Sequence, residues 1–307
     1  MTVLTLPARA NAAPRPLPWR NMLWVTWRQH RATMISVPTV LGALGVFLWI
    51  AGLRVHHDYS ALTACHPFGS SACQALNRSY NSTDWTMGNT LDILMQLVPA
   101  LIGAFAGGSL LARELETGTY RYAWTQGIGR VRLTIAKLTI VGVTVAVTAA
   151  AFSELFTWFF KSFLAPDQDL TVLSATVFDT HPVSFAAWTL AAFSIGALAG
   201  MLLRRTVPAI AVTLGVYIGL SILTWTELRE HYLPPVVTTS KVPFGSGPMN
   251  YTMPWVLRTW TSGHTMYGSY IPVSRFWPMQ FIEGGWLLVL AIVLGATTIW
   301  LVRRRAA

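Results

Sequence analysis

One basic and aromatic stretch lies between two long apolar runs of the chain. It spans residues 113–137 and reads RELETGTYRYAWTQGIGRVRLTIAK. It contains five Lys or Arg residues, and its only acids, Glu114 and Glu116, lie at its start. Gly118 suits the end of the preceding helix, and a short new helix is predicted to start near Tyr120. The stretch therefore predicts a short amphipathic helix, held at a membrane surface by the spans on either side, where another protein can push on it.

The composition is that of a membrane protein. Hydrophobic residues make up 53% of the 307 residues and charged residues only 11%, against about 25% charged residues in ordinary soluble domains. Six runs are long enough for a bilayer core that needs about 20 apolar residues per helix. These runs are residues 34–53, 93–112, 138–160, 185–203, 207–225 and 284–302. The predicted fold class is an all-α integral membrane protein with six transmembrane helices.

The distribution of Lys and Arg predicts the orientation, because cytoplasmic loops carry the excess of both. With the amino terminus inside, fifteen of the 22 fall in inner segments, and these are Arg9, Arg15, Arg20, Arg28, Arg31, Arg113, Arg121, Arg130, Arg132, Lys137, Arg204, Arg205, Arg303, Arg304 and Arg305. Both termini are therefore predicted to be cytoplasmic. The net charge of +10 then reflects topology and contact with the lipid bilayer. Nucleic acid is not an expected partner, since the arginines do not form one face.

The predicted domain organisation is a disordered cytoplasmic tail, residues 1–18, and a single transmembrane domain, residues 19–307. Within this domain residues 19–31 place arginines on one side of a helix and apolar residues on the other, which indicates an interfacial elbow helix in the membrane plane. Residues 54–90 and 226–282 are predicted outer loops. The second loop is rich in Trp and Tyr, and we expect it to form short helices that cover the outer leaflet as a lid.

Cys65 and Cys73 are the only cysteines of the chain, and both fall in the first predicted outer loop. An oxidising exterior favours a disulfide between them. A zinc or redox site is the less favoured alternative, because seven residues between two cysteines is not a usual ligand spacing.

The sequence contains no motif for catalysis or for holding ATP. The phosphate loop G-x-x-x-x-G-K-[ST], the zinc motif H-E-x-x-H and the nucleophile motif G-x-S-x-G are all absent. Glu227, Glu230 and His231 can share one face of a short helix, but a solvated polar cluster at a span end is the favoured interpretation over a metal site. We therefore predict no catalytic residue, no metal site and no enzyme activity in this chain.

Glu154 is the one acid well inside an apolar run. A carboxylate there costs about 2.5–3.5 kcal/mol on insertion scales, so it is expected to face protein or water. Two interpretations remain open: a place in a translocation path, or extension of the side chain to the interface with Lys161 as its partner.

Two motifs carry a resemblance to a known family. Residues 111–119, LARELETGT, are followed by a segment that ends in Arg130 and Lys137, and residues 275–283, RFWPMQFIE, precede the last span and three arginines. In these motifs and in its layout the chain resembles the permease subunit of a type-2 ABC exporter, of the kind common in high-GC Gram-positive bacteria. The resemblance implies a bacterial plasma membrane location.

The resemblance also implies partners. The inner segment would dock on a separate ATP-binding subunit, which would hold the ATP and Mg²⁺, and two such subunits would pair with two permeases, either copies of this chain or related chains. The candidate coupling residues are Glu114, Glu116, Gly118, Thr119, Tyr120, Arg121, Tyr122, Trp124 and Arg130. Glu114 and Glu116 either orient the inner helix through Arg113 and Arg121 or form a solvated cluster.

The implied function is ATP-driven export of an amphipathic substrate, such as a drug, a peptide antibiotic or a lipid. The second and fifth spans would line the path, with Phe105 and Glu154 as the candidate path residues. The alternative is a sensor or an immunity and shielding protein that binds a ligand with its outer loops and transports nothing. A proton-coupled carrier is disfavoured because the two halves show no internal repeat.

Overall fold

A computed structural model describes residues 19–67, 69–118, 130–164, 175–240, 255–262 and 265–304. Six helices in this part of the chain are long and apolar enough to cross a membrane, which confirms the number of predicted spans. They are Thr26–Ala64, Ser71–Thr117, Arg130–Lys161, Pro182–Leu203, Thr206–His231 and Val273–Arg304. The predicted tail, residues 1–18, lies outside the described residues.

The helices are labelled in chain order. The α-helices are α1 Trp19–Ala64, α2 Ser71–Ser79, α3 Thr86–Met95, α4 Leu97–Ile102, α5 Gly108–Thr117, α6 Arg130–Leu164, α7 Ala175–Asp179, α8 Pro182–Leu203, α9 Thr206–Leu223 and α10 Phe276–Arg304. Three π-helical segments, Tyr80–Trp85, Gly103–Gly107 and Thr224–Leu228, continue neighbouring α-helices. The second predicted span is thus built from α3, α4, the π-helical segment Gly103–Gly107 and α5.

Helix α1 differs from the prediction at both of its ends. Residues 19–31 are its first turns and do not form a separate elbow helix, because no glycine or proline interrupts the chain before Pro38. At the other end α1 continues to Ala64, and α2 begins at Ser71. The predicted outer loop 54–90 is therefore largely helical.

A disulfide closes the short turn between α1 and α2. It joins Cys65 and Cys73, the pairing that the sequence favours. The Ser70 side chain accepts a hydrogen bond from the Cys73 amide at 3.2 Å and so caps the start of α2.

The segment between the fifth and sixth spans contains a β-sheet, so the prediction of short lid helices is wrong for its described part. The strands are β1 Val236–Ser240, β2 Trp255–Ser262 and β3 Thr265–Ile271. They are antiparallel in the order β1-β3-β2. β-Branched and aromatic residues fill these strands, and such residues favour a pleated surface over a helix. Trp260 stacks on Tyr267 across the strand pair with ring centroids 5.6 Å apart.

The bundle has two ends that differ in composition. One end, called the sheet end below, carries β1–β3 together with α7. The opposite end, called the basic end, carries the arginines at the helix termini, namely Arg113, Arg130, Arg132, Arg204, Arg205, Arg303 and Arg304.

Helix α8 is the centre of the bundle, and most of its residues are buried. Glycines let its backbone approach the second span directly. A Cβ on Gly107 would lie 2.2 Å from the carbonyl oxygen of Phe193, and a Cβ on Gly196 would lie 2.5 Å from that of Gly103. Small residues at a helix interface permit such close approach inside membranes. The small residues at this crossing therefore let the two helix backbones pack directly against each other.

Gly196→Ala is expected to destabilise the fold. The added Cβ meets backbone atoms of Gly103 and Gly108 at 2.5 and 2.6 Å, so the two helices must separate, at a cost of about 1–3 kcal/mol. Thermal unfolding of the purified protein in detergent measures the loss. Gly295→Ala is the matched control because a Cβ there meets nothing within 4 Å, and alanine favours the helix by about 0.5–1 kcal/mol. Equal melting temperatures for the two variants would contradict the close contact.

Candidate functional site

The basic end ties α5 to α6 through Glu114. Its carboxylate contacts the ammonium group of Lys137, whose side chain is only 1% exposed. His30 Nε2 lies 3.9 Å from Glu114 Oε1. A buried ammonium group is tolerated only beside an acid, so this contact fixes α5 against α6, with α1 alongside. Lys137 is thus an interior residue of α6, although the sequence places it at the end of an exposed segment.

Glu116 performs a different task at the same end. Arg205 is the residue before the first turn of α9, and its side chain makes no capping hydrogen bond. Instead Glu116 Oε2 accepts hydrogen bonds from the Thr206 amide at 3.1 Å and from Thr206 Oγ1 at 2.8 Å. A carboxylate at a helix start satisfies a free amide and complements the helix dipole. Glu116 therefore caps α9 from a neighbouring helix.

The predicted coupling segment, residues 113–137, is shorter than expected. Helix α5 continues to Thr117 and ends at Gly118, whose φ of 71° is the left-handed conformation that glycine adopts most readily. Helix α6 begins at Arg130. The other predicted coupling residues, Thr119, Tyr120, Arg121, Tyr122 and Trp124, lie outside the described residues. Among the described residues, Glu114 pairs with Lys137 and Glu116 with Thr206, not with Arg113.

The sheet end contains a buried charged cluster of Asp179, Arg229 and Glu283, called the sheet-end cluster below. Arg229 and Glu283 are 0% exposed and Asp179 is 6% exposed. Arg229 Nε donates to Glu283 Oε2 at 2.8 Å, and Arg229 Nη2 donates to Glu283 Oε1 at 2.7 Å. Arg229 Nη2 also contacts Asp179 Oδ1. The guanidinium therefore bridges two carboxyl groups, that of Asp179 at the end of α7 and that of Glu283 in α10.

Three aromatic side chains, Trp188, Trp225 and Phe178, surround the cluster. Trp188 Nε1 in α8 donates to Glu283 Oε1 at 2.9 Å, and Trp225 Nε1 donates to Asp179 Oδ2 at 2.6 Å. The Arg229 guanidinium carbon lies 4.5 Å from the centre of the Phe178 ring, a cation–π distance. The two hydrogen bonds from Arg229 to Glu283 form a bidentate pair, which is a strong arrangement for a guanidinium and a carboxylate.

Gln280 joins the same elements one turn away from Glu283 in α10. Its Nε2 donates to the Phe178 carbonyl oxygen at 2.7 Å, and its Oε1 accepts from the Ser184 amide at 3.0 Å. Polar contacts to α7 and α8 are thus made by two buried side chains of α10. Both belong to the motif of residues 275–283 that stands out in the sequence.

The candidate path residues do not meet in the structure. Glu154 is exposed on α6 and forms no ion pair within the described residues, so the expected pairing with Lys161 is not seen there. Phe105 lies in the π-helical segment of the second span and is 60% exposed. Its exposure follows from the burial of Gly103 and Gly107, which turn the opposite face of that segment towards α8.

Sequence reasoning missed the sheet-end cluster because it considered Glu227, Glu230 and His231 and passed over Arg229 between them. A signal was nevertheless present. Glu283 directly precedes the last apolar run, and Arg229 shortly follows the fifth. Arg229 and Glu283 thus lie at the same end of two neighbouring spans. Opposite charges in such positions are expected to pair, because an isolated charge within a membrane protein costs free energy.

A comparison with protein families gives a match. The family model described as "ABC-2 membrane transporter related" matches residues 39–229, which is more than half of the chain. No curated protein and no solved structure matches the chain. The matched range contains Glu114, Lys137, Asp179 and Arg229 and ends before Glu283.

Arg229→Met is expected to destabilise the protein strongly. The change leaves the buried carboxyl groups of Glu283 and Asp179 without their guanidinium partner, and breaking a buried ion pair in this way costs about 3–5 kcal/mol. Thermal or denaturant unfolding in detergent measures the loss. Arg78→Met, at an exposed position of α2, is the control and is expected to stay within about 0.5 kcal/mol of the parent. A similar stability for both variants would show that the cluster adds nothing to the fold.

Proposed function

Because the chain belongs to the ABC-2 membrane transporter related family, we propose that it is the permease subunit of an ATP-driven exporter. The chain has the membrane-spanning part of such a machine and lacks a phosphate-binding loop of the usual kind. The energy would come from a separate ATP-binding subunit that holds ATP and Mg²⁺.

The observation that carries the proposal is the anchoring of the basic end. The segment between Gly118 and Arg130 leaves α5 just after Glu114 and Glu116. Glu114 holds α6 through Lys137, and Glu116 holds the start of α9 through Thr206. A partner that pushes on this segment would therefore act on three helices at once, as a coupling element requires. The candidate coupling residues of the segment keep that role in the proposal.

The path is proposed to lie between two permease copies, along the second span and α9. Both elements present apolar side chains outwards, among them Phe105, Val212, Val216 and Ile218. Gly215 and Gly219 are exposed on α9, four residues apart, and a Cβ on either meets nothing within 4 Å. Small residues at this spacing are typical of a helix-pairing face. An amphipathic substrate, exported from the cytoplasm or the inner leaflet, suits such an apolar surface.

Joint purification tests the coupling. The tagged chain is co-expressed with the ATP-binding protein encoded beside it, and we expect a complex with ATPase activity. Tyr122→Glu combined with Trp124→Glu is expected to dissolve it, because two charges would replace aromatic docking residues. Val237→Glu with Trp260→Glu, two exposed positions on the sheet, is the control and should leave the complex intact. A chain that purifies without an ATPase would favour the alternative, a sensor or shielding protein without transport.

Pairing of two copies is tested separately on α9. Gly215→Leu with Gly219→Leu is expected to block close approach of a second copy and to shift the protein from dimer to monomer in lipid nanodiscs, as measured by mass photometry. Gly285→Leu with Gly295→Leu on α10 places the same bulk at positions that are equally open and should leave the dimer unchanged. Loss of the dimer in the control alone would place the interface on α10.

A further inference from the structure

The sheet-end cluster contains more negative than positive groups. One guanidinium, that of Arg229, faces two carboxyl groups, those of Asp179 and Glu283, and all three side chains are buried. If both acids were ionised, the cluster would keep a net charge of −1 away from water. Burying an uncompensated charge is costly, and the usual outcome is that one group becomes neutral.

The hydrogen bonds indicate which acid becomes neutral. Glu283 accepts two hydrogen bonds from Arg229 and one from Trp188, which together stabilise its ionised form. Asp179 accepts hydrogen bonds from Arg229 Nη2 and from Trp225 Nε1. The bidentate pair of Arg229 with Glu283 already balances one positive charge with one negative charge, so an ionised Asp179 would be the uncompensated acid.

We propose that Asp179 is a proton-binding site, and that its proton holds the segment before α8 against the ends of α9 and α10. Glu283 and Arg229 then form one balanced pair, and Asp179 lies beside them as a neutral acid. When the proton leaves, two buried carboxylates repel each other, and the contact of Asp179 with its neighbours weakens.

The groups that face Asp179 from each packed element support this assignment. Burial raises the pKa of the Asp179 carboxyl; Arg229 opposes this rise and Glu283 adds to it. Trp188 of α8 and Gln280 of α10 are uncharged. On the segment of Asp179 itself, burial lowers the pKa of His181, whose ring bonds the Val177 carbonyl oxygen, so this histidine brings no second positive charge.

The sign of the pH dependence follows from linkage. Asp179 binds its proton more tightly in the folded chain than in the unfolded chain, whose aspartates have a pKa of about 4. The stabilising contribution is therefore fully present below that value, and it is lost as the pH rises through the raised pKa. The joint between α7, α9 and α10 is tight in acid and loosens in alkali.

Infrared difference spectroscopy of the purified chain tests the site, because a protonated carboxylic acid has a carbonyl band separate from carboxylate bands. At neutral pH, where exposed carboxyl groups are ionised, we expect such a band in the parent protein and its weakening on titration to alkaline pH. The band should also be weaker in Asp179→Asn, although it need not vanish, because Asp84 and Asp92 are buried acids as well. Glu154→Gln removes an exposed acid from α6 and should leave the band unchanged. A band as strong in Asp179→Asn as in the parent protein, or no such band in the parent protein, would overturn the proposal.

A second variant covers failure of Asp179→Asn to fold. In Glu283→Gln a single carboxylate balances Arg229, so Asp179 should ionise and the band should weaken as it does in Asp179→Asn; a band of parental strength would overturn the assignment. Thermal unfolding against pH adds a readout of the joint: the melting temperature of the parent should fall as the pH rises, and that slope should flatten in Asp179→Asn. Every measurement uses the purified chain, so the outcome is independent of any ATP-binding partner.

Discussion

The backbone contact between α8 and the second span determines how the other helices can be arranged. Gly103, Gly107, Gly196 and Gly200 leave no room for a side chain where the two helices cross. Within a bilayer, burial of apolar surface does not drive helices together, so close packing and polar contacts must supply the stability. The helices α6, α9 and α10 pack around this crossing, and their ends meet in the two polar clusters at opposite ends of the bundle.

The two clusters are connected through α9. Glu116 of α5 caps its first turn at Thr206, and the chain beyond its last turn supplies Arg229 to the sheet-end cluster. An apolar helix between two polar anchors transmits a tilt as a whole, because its own backbone hydrogen bonds keep it stiff. The anchors thus form one contiguous physical connection between the proposed docking segment and the sheet end, as the proposed coupling would require. The exposed Gly215 and Gly219 lie on this same helix.

The sequence predicted the six apolar helices and the pairing of Cys65 with Cys73, because each depends on a local pattern that a few residues reveal. It did not predict β1–β3, because β1 pairs with the distant β3 and the aromatic content alone is compatible with helices. The pairing of β2 with β3 is local, since Ser262 lies opposite Thr265, and its signal in the sequence was missed. For Glu114 and Glu116 it offered Arg113 and Arg121 as partners, or a solvated cluster, and named neither Lys137 nor Thr206. Lys137 and Thr206 are 23 and 90 residues away from them, and only the fold brings such groups together.

The motif of residues 275–283 shows why a conspicuous sequence need not mark a ligand surface. Phe276, Met279, Gln280 and Glu283 are buried, whereas Trp277 and Phe281 are exposed. The buried set follows the spacing of one helix face, with two polar side chains among the apolar ones. Polar groups on such a face require partners, since a buried group without a hydrogen bond is costly. Gln280 and Glu283 meet that requirement through α7, α8 and Arg229, so this part of the chain is an internal joint whose strength depends on its charges.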